Sequence, residues 1–140
     1  MTRALGLDVG SKTIGVAATD ELGILAHPRA VITREGTTRD VAAIVDWITK
    51  EGATVVVVGL PLGLDGSVGP RARRVRVLVD ALRPALPAGV TLEEWDERFS
   101  TSGARAALDG AAARRVKKSG NIDALAAAFL LEGWLAAQPK

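Results

Sequence analysis

The sequence predicts one α/β domain on a mixed five-stranded sheet, in which an antiparallel meander is continued by parallel strands and helices flank the faces. Three observations carry this expectation. Residues 3–32 hold three strand-like runs parted only by turn signals, the pattern of a meander. The β-branched run Thr54-Val55-Val56-Val57-Val58 lies between two stretches of helical period, as a parallel strand in a βα arrangement does. A length of 140 residues with 48% hydrophobic content suits a single ordinary core, so residues 1–140 are read as one domain.

Taken in order, the first strand places Leu5, Leu7 and Val9 on one face and Ala4, Gly6, Asp8 and Gly10 on the other. That second face is low, and Gly6 and Gly10 are expected to leave room beside Asp8 for ions and a phosphate. Gly10-Ser11 turns the chain, and Ile14, Val16 and Ala18 alternate in a second arm. Asp20-Glu21-Leu22-Gly23 turns it again into a third run, Ile24 to Ile32, where Pro28 points to an edge strand or a break. Thr37-Thr38-Arg39-Asp40 fits a capping box, and Val41, Ile44, Val45 and Ile48 recur at helical spacing to about Lys50. After the β-branched strand, a glycine-rich loop from Leu60 to Gly69 leads to Pro70, which suits the first turn of a helix. Ala72, Val75, Leu78, Val79 and Leu82 form the stripe of that helix, and Pro84 ends it. Gly89 to Arg98 reads as a strand closing in charges. A short helix from Ser100 or Thr101 through Leu108 and a basic loop, Asp109 to Gly120, come next. Asn121 then caps a last helix, with Asp123 in its first turn and Leu125, Phe129, Leu130, Trp134 and Leu135 as core contacts. The order βββαβαβαα, with an acid in the first strand, is that of a ribonuclease H-like fold.

Composition narrows the chemistry. Cysteine is absent and His27 is the single histidine, so a thiol nucleophile or a zinc site is not expected, and the serines have no neighbouring imidazole to activate them. No apolar run approaches bilayer length and the N-terminus lacks a signal-peptide pattern, so a cytoplasmic location with no membrane partner is expected. Net charge is only +2, yet the cations are concentrated. Arg71, Arg73, Arg74 and Arg76 form one block and Arg114, Arg115, Lys117 and Lys118 a second, neither containing an acid. Two such blocks in a small domain favour a polyanionic partner.

Catalysis must then fall to carboxylates. Asp8 interrupts an apolar strand, where an acid is costly unless a cation or donors meet it. Asp96 and Glu97 close the last strand and Asp123 opens the last helix. Three such carboxylates brought together repel one another unless divalent cations neutralise them, and oxygen-only ligands favour Mg²⁺ or Mn²⁺. Two ions of that kind support in-line displacement at phosphorus. Side-chain alternation puts Asp96 and Glu97 on opposite faces, so only one of them can readily join Asp8.

Four motifs carry a resemblance. Leu7-Asp8-Val9-Gly10-Ser11-Lys12-Thr13-Ile14-Gly15-Val16-Ala17, Val58-Gly59-Leu60-Pro61-Leu62-Gly63-Leu64-Asp65-Gly66, Trp95-Asp96-Glu97-Arg98-Phe99-Ser100-Thr101 and Asn121-Ile122-Asp123-Ala124-Leu125-Ala126-Ala127 resemble the YqgF (RuvX) family, in this order and over nearly the whole chain. The family is similar in fold to RuvC-type Holliday junction resolvases. The resemblance implies a nuclease that processes precursor 16S ribosomal RNA, with four-way DNA junctions as the alternative substrate. It implies Asp8, one acid of the Asp96-Glu97 pair and Asp123 as catalytic metal ligands; within the pair Glu97 is chosen, with Asp96 as its substitute. Lys12, Arg71, Arg73, Arg74, Arg98, Arg114, Arg115, Lys117 and Lys118 are the expected nucleic-acid contacts, and Gly59, Pro61 and Gly66 belong to a loop expected near substrate. Structured RNA and ribosomal precursor particles are the expected partners, the chain acting as a monomer or homodimer.

Two rival classes remain on the sequence. A non-catalytic RNA-binding factor in ribosome assembly would share the basic blocks. Asp8-Val9-Gly10-Ser11-Lys12-Thr13 also resembles the phosphate loop of the actin, Hsp70 and sugar-kinase superfamily, but those proteins close two such domains around a nucleotide and this chain holds one.

Overall fold

The computed structural model describes residues 3–97 and 122–138. The expected short helix after Ser100 and the basic loop from Asp109 to Gly120 lie outside the described residues, as does Asn121. Within them, β1 (Ala4–Val9), β2 (Thr13–Thr19) and β3 (Ala26–Thr33) precede α1 (Thr37–Glu51), β4 (Val55–Leu60), α2 (Pro70–Leu82), β5 (Thr91–Asp96) and α3 (Ile122–Ala137). The sheet order is β3-β2-β1-β4-β5. β1 pairs antiparallel with β2 and β2 with β3, whereas β1 with β4 and β4 with β5 run parallel. This is the ribonuclease H-like arrangement, a mixed five-stranded sheet flanked by helices.

Alternation divides the sheet into two cores. Leu5, Leu7, Ile14, Val16, Val56, Val58 and Leu92 pack with Ile44 and Ile48 of α1 and with Val75, Leu78 and Leu82 of α2. On the opposite face Ala4, Ala17, Val55 and Val57 meet Ala127, Ala128, Leu131 and Trp134 of α3. Each large side chain fully buried in this way contributes about 1.5–3 kcal/mol. Pro28 does sit in an edge strand, opposite Ala17 and beside a register irregularity. Pro70 opens α2, and Gly52 ends α1 in the left-handed region at φ 64°, a conformation that favours glycine.

Three details differ from expectation. Thr37 does not cap α1: the N-cap is Gly36, with no side-chain hydrogen bond to the first turn. Asp40 instead turns back, accepting the Glu35 N–H at 3.0 Å and an Arg34 Nε–H at 3.0 Å, and is only 1% exposed. The α3 face against the sheet is built from Ala124, Ala127, Ala128, Leu131 and Trp134, while Leu125 and Phe129 are only partly buried. α3 is apolar almost all round, so periodicity could not orient it. The reason for its alanines is close approach. A Cβ on Gly6 would stand 3.0 Å from Leu131 Cβ and 3.1 Å from the Ala127 carbonyl oxygen, and one on Gly15 would overlap the Asp123 carbonyl oxygen. Gly6 therefore makes room for a helix rather than for a ligand, and Gly10 shapes the β1–β2 turn, donating its N–H to the Thr13 carbonyl at 2.8 Å.

Candidate active site

β1 and β5 are not neighbours, because β4 runs between them. At a strand spacing of about 4.8 Å their backbones stand roughly 10 Å apart, so an acid on β1 and one at the end of β5 meet only by reaching across β4. Gly59 permits this. It lies in β4 opposite Trp95, and a Cβ there would fall 2.6 Å from Glu97 Oε1. Over that gap Glu97 hydrogen-bonds to the Asp8 side chain. Alternation along β5 puts Glu97 on the α3 face with Trp95, and leaves Asp96 on the α2 face with Leu92 and Glu94. Glu94 there accepts a hydrogen bond from Arg76 Nε at 3.1 Å. The structure thus brings Glu97, not Asp96, to Asp8.

Electrostatics set the state of the pair. Burial, then the charge of Asp8 and the hydrogen bond to it, push the Glu97 carboxyl up from 4.5 to about 7, while Arg71 pulls it back. Asp8 is also raised, by burial first and by the charge of Asp123; the bond from Glu97 and the charge of Arg71 oppose this. Glu97 is accordingly the donor and Asp8 the acceptor near neutrality, two carboxyls holding one proton. Asp123, half-buried in the first turn of α3, is near enough to act on Asp8 through its charge. Its Oδ2 accepts a 2.6 Å hydrogen bond from the Thr13 hydroxyl.

Among the described residues, no three or more His, Cys, Asp or Glu side chains form a group able to hold a metal ion. Asp8 is turned to Glu97 and Asp123 to Thr13, so the three expected ligands stand as a pair and a neighbour. The donor set still suits a hard divalent cation. Asp8 and Glu97 converge at the place where they share a proton, and replacing that proton with Mg²⁺ or Mn²⁺ would relieve both charges. Asp123 would supply a third oxygen or hold a water.

The basic block of α2 divides by helical period. Arg71 and Arg74 line a cleft of about 340 Å³ with Pro61 and the Gly10-Ser11 turn. Arg73 is exposed, and Arg76 is committed to Glu94. Lys12 is exposed in the β1–β2 turn. Gly59, expected at the end of the strand and beside the substrate loop, is a strand residue between the acids, and Gly66 sits at φ 85° in a turn closed by Gly66 N–H to Gly63 carbonyl at 2.8 Å. Arg98, Arg114, Arg115, Lys117 and Lys118 lie outside the described residues. A larger cavity, about 930 Å³, opens at the other end of the strands against Thr54, Thr91 and Trp134, away from the acids.

Sequence reasoning missed Thr13, Gly15 and Arg34. Alternation could have found the first two, since both lie on the β2 face that α3 covers. Arg34 is signalled indirectly by Asp40, an acid four residues before Ile44 on the buried stripe of α1.

The RuvX family model, described as Holliday junction resolvase, matches residues 2–137. A Myxococcus xanthus protein provisionally named a pre-16S rRNA nuclease is 45% identical over 95% of this chain and 87% of its own length. One from Halothermothrix orenii with the same provisional name is 41% identical over 99% and 97%. Among solved structures, Thermus thermophilus RuvC in complex with Holliday junction substrate superposes with a TM-score of 0.64 at 18% identity, covering 97% of this chain and 96% of that one. The fowlpox virus resolvase in complex with its Holliday junction DNA gives 0.58 at 12% identity, covering 99% and 100%.

Proposed function

The chain belongs to the RuvX family, and from that premise we propose that it is a metal-dependent phosphodiester hydrolase that trims precursor 16S ribosomal RNA at its 5′ end. Membership of a nuclease family with the RuvC-like fold supports the nuclease role. The observation that carries the finer reading is the Asp8–Glu97 pair reaching across Gly59 at the carboxyl ends of the parallel strands, where open α/β sheets place their ligands.

Asp8 and Glu97 would hold Mg²⁺ or Mn²⁺, with Asp123, hydrogen-bonded by Thr13, as the third acid. A pair of such ions, when bound, supplies Lewis-acid stabilisation of the charge that develops at phosphorus and a water of lowered pKa. The chain does the rest. Arg71, close enough to lower both acids of the pair, offsets negative charge as the phosphodiester approaches. Gly59 keeps the gap between strands open, and the short Thr13–Asp123 bond orients the third carboxylate beside the pair.

RNA ranks first because relatives at 41–45% identity carry the pre-16S rRNA name. Four-way DNA junctions are the second reading, favoured by the family description. Ribosomal precursor particles in the cytoplasm are the corresponding partners. The test is cleavage of structured RNA and of four-way DNA junctions by wild type and Asp8→Asn, with Mg²⁺, Mn²⁺ or EDTA. The expected result is metal-dependent cleavage of RNA, lost by about 10³-fold or more in the variant. Cleavage that survives Asp8→Asn would overturn the site. Binding without cleavage in every metal would point to a non-catalytic assembly factor.

A further inference from the structure

Beside the acid pair lies a cleft of which the proposed reaction uses Arg71 alone. It opens where β1 and β4 end: after β1 the chain turns toward β2, and after β4 it leaves the sheet toward α2. Diverging connections of this kind leave a crevice beyond the carboxyl ends of two adjacent parallel strands. The wall of this one is cationic. Arg71 and Arg74 come from the first turns of α2, whose N-cap Gly69 offers no side-chain acceptor and whose first turn holds no acid. Cations there oppose the helix dipole and are unfavourable for the helix alone, so an anion in the cleft would satisfy both the guanidinium groups and the free N–H groups of the helix end. Among the described residues, no carboxylate hydrogen-bonds or ion-pairs with Arg74.

Arg34 completes the wall from the far side. Its Nε is bound to the buried Asp40 and its Nη1 donates to the Gly10 carbonyl at 3.0 Å, which leaves further N–H donors on a guanidinium that is already fixed in place. A preordered donor loses little entropy on binding, and the planar fork suits phosphate oxygens. Ser11 and the turn at Gly10 close the third side, at the end of the strand that carries Asp8.

We propose that the cleft formed by Gly10, Ser11, Arg34, Pro61, Arg71 and Arg74 is a subsite for a backbone phosphate of the bound nucleic-acid strand, flanking the phosphodiester presented to Asp8 and Glu97. The inference rests on the nuclease reading and deepens it, because it fixes the path of the strand. The backbone crosses the carboxyl edge of the sheet from the α2 side to the α3 side, and Arg71 stands at the crossing point between the two phosphates. The recognised chemistry is a singly charged phosphodiester, common to RNA and DNA.

The test is equilibrium binding, without divalent metal, of a 2′-O-methyl RNA hairpin and of DNA of the same sequence, each with one neutral methylphosphonate linkage placed in turn along the strand. Arg74→Ala, at an exposed position, is expected to bind 5- to 20-fold more weakly than wild type and to lower the slope of log affinity against log salt by about 1. In wild type one linkage should be more sensitive to neutralisation than the rest, and Arg74→Ala should be insensitive at that linkage alone. Arg73→Ala, the same charge on the exposed side of the helix, should weaken binding with no preference among linkages. Unchanged affinity and slope in Arg74→Ala, or full sensitivity retained at every linkage, would overturn the subsite while leaving cleavage by wild type intact. Wild type that binds neither strand overturns the nuclease reading and the subsite together.

Discussion

Replacing Glu97 with glutamine should make the metal-free protein more stable at alkaline pH while removing its activity. The Glu97 carboxyl is pushed from 4.5 to about 7, chiefly by burial and next by Asp8. A raised carboxyl favours the folded state only while protonated. The penalty is absent below about pH 4.5, where both folded and unfolded forms carry the proton, grows as pH rises through 7, and is complete at pH 8. In full it corresponds to about 3 kcal/mol, which solvent access at this half-buried side chain reduces to about 1–2 kcal/mol. Glutamine carries no charge at any pH and its amide N–H can still donate to Asp8. In EDTA, Glu97→Gln should therefore melt about 4–8 °C above wild type at pH 8 and level with it at pH 4.5. Mg²⁺ should raise wild type at pH 8 by mass action and the variant less. A variant that melts below wild type at pH 8, or a difference that does not change with pH, refutes the account of the pair.

Three further outcomes follow from the same geometry. Gly59→Ala places a methyl 2.6 Å from Glu97 Oε1 and 3.0 Å from Leu130 Cδ2, so cleavage should fall by at least tenfold for a stability loss of about 1–2 kcal/mol by chemical denaturation. Full activity in that variant would mean that Glu97 need not cross β4 to work. Thr13→Val removes the bond to Asp123, and should lower the cleavage rate by about 10–100-fold while the melting temperature moves by only a few degrees. Arg34→Met strands Asp40, 1% exposed, without its cation, at a cost of about 3–5 kcal/mol in urea unfolding; adding Asp40→Asn should recover a large part of it, and no recovery would show that the pair does not act as a unit.

The five strands and their succession along the chain were legible because each strand announces itself by alternation or by β-branched content, and because Pro28, Gly52, Pro70 and Pro84 punctuate the chain where backbone chemistry requires. Asp8 stood out as an acid among Leu7, Val9 and Ile14, and alternation stated that only one of Asp96 and Glu97 can face it. What was hidden depends on strands that meet only after folding. Gly59 reads as the end of a strand, grouped with the loop near substrate, because nothing local reveals that it lies between two acids two strands apart. Of the expected α3 core contacts, Leu130 and Trp134 are buried and Leu135 packs on the core, whereas Leu125 and Phe129 are only partly buried. Ala124, Ala127, Ala128 and Leu131 were not legible as core because nothing local shows that Gly6 and Gly15 draw the helix so close. Asp40 matched a capping pattern, but it turns back to Arg34 and the Glu35 N–H just before the helix rather than serving a cap at Thr37.

The partners in the acid site come from opposite ends of the described chain. Thr13 and Asp123 are 110 positions apart, and Asp8 finds Glu97 only once β5 has added to β4. Contacts of such separation carry a large loop-closure cost and form late, after the β1–β3 meander and α1 have paired locally. The meander is also made first during synthesis, when neither β5 nor α3 yet exists. A nascent or half-folded chain therefore holds Asp8 without Glu97 or Asp123, and the proposed acid site is completed only when β5 and α3 join the sheet. For the proposed nuclease, this order means that a chain still lacking β5 and α3 holds only Asp8 of its three acids.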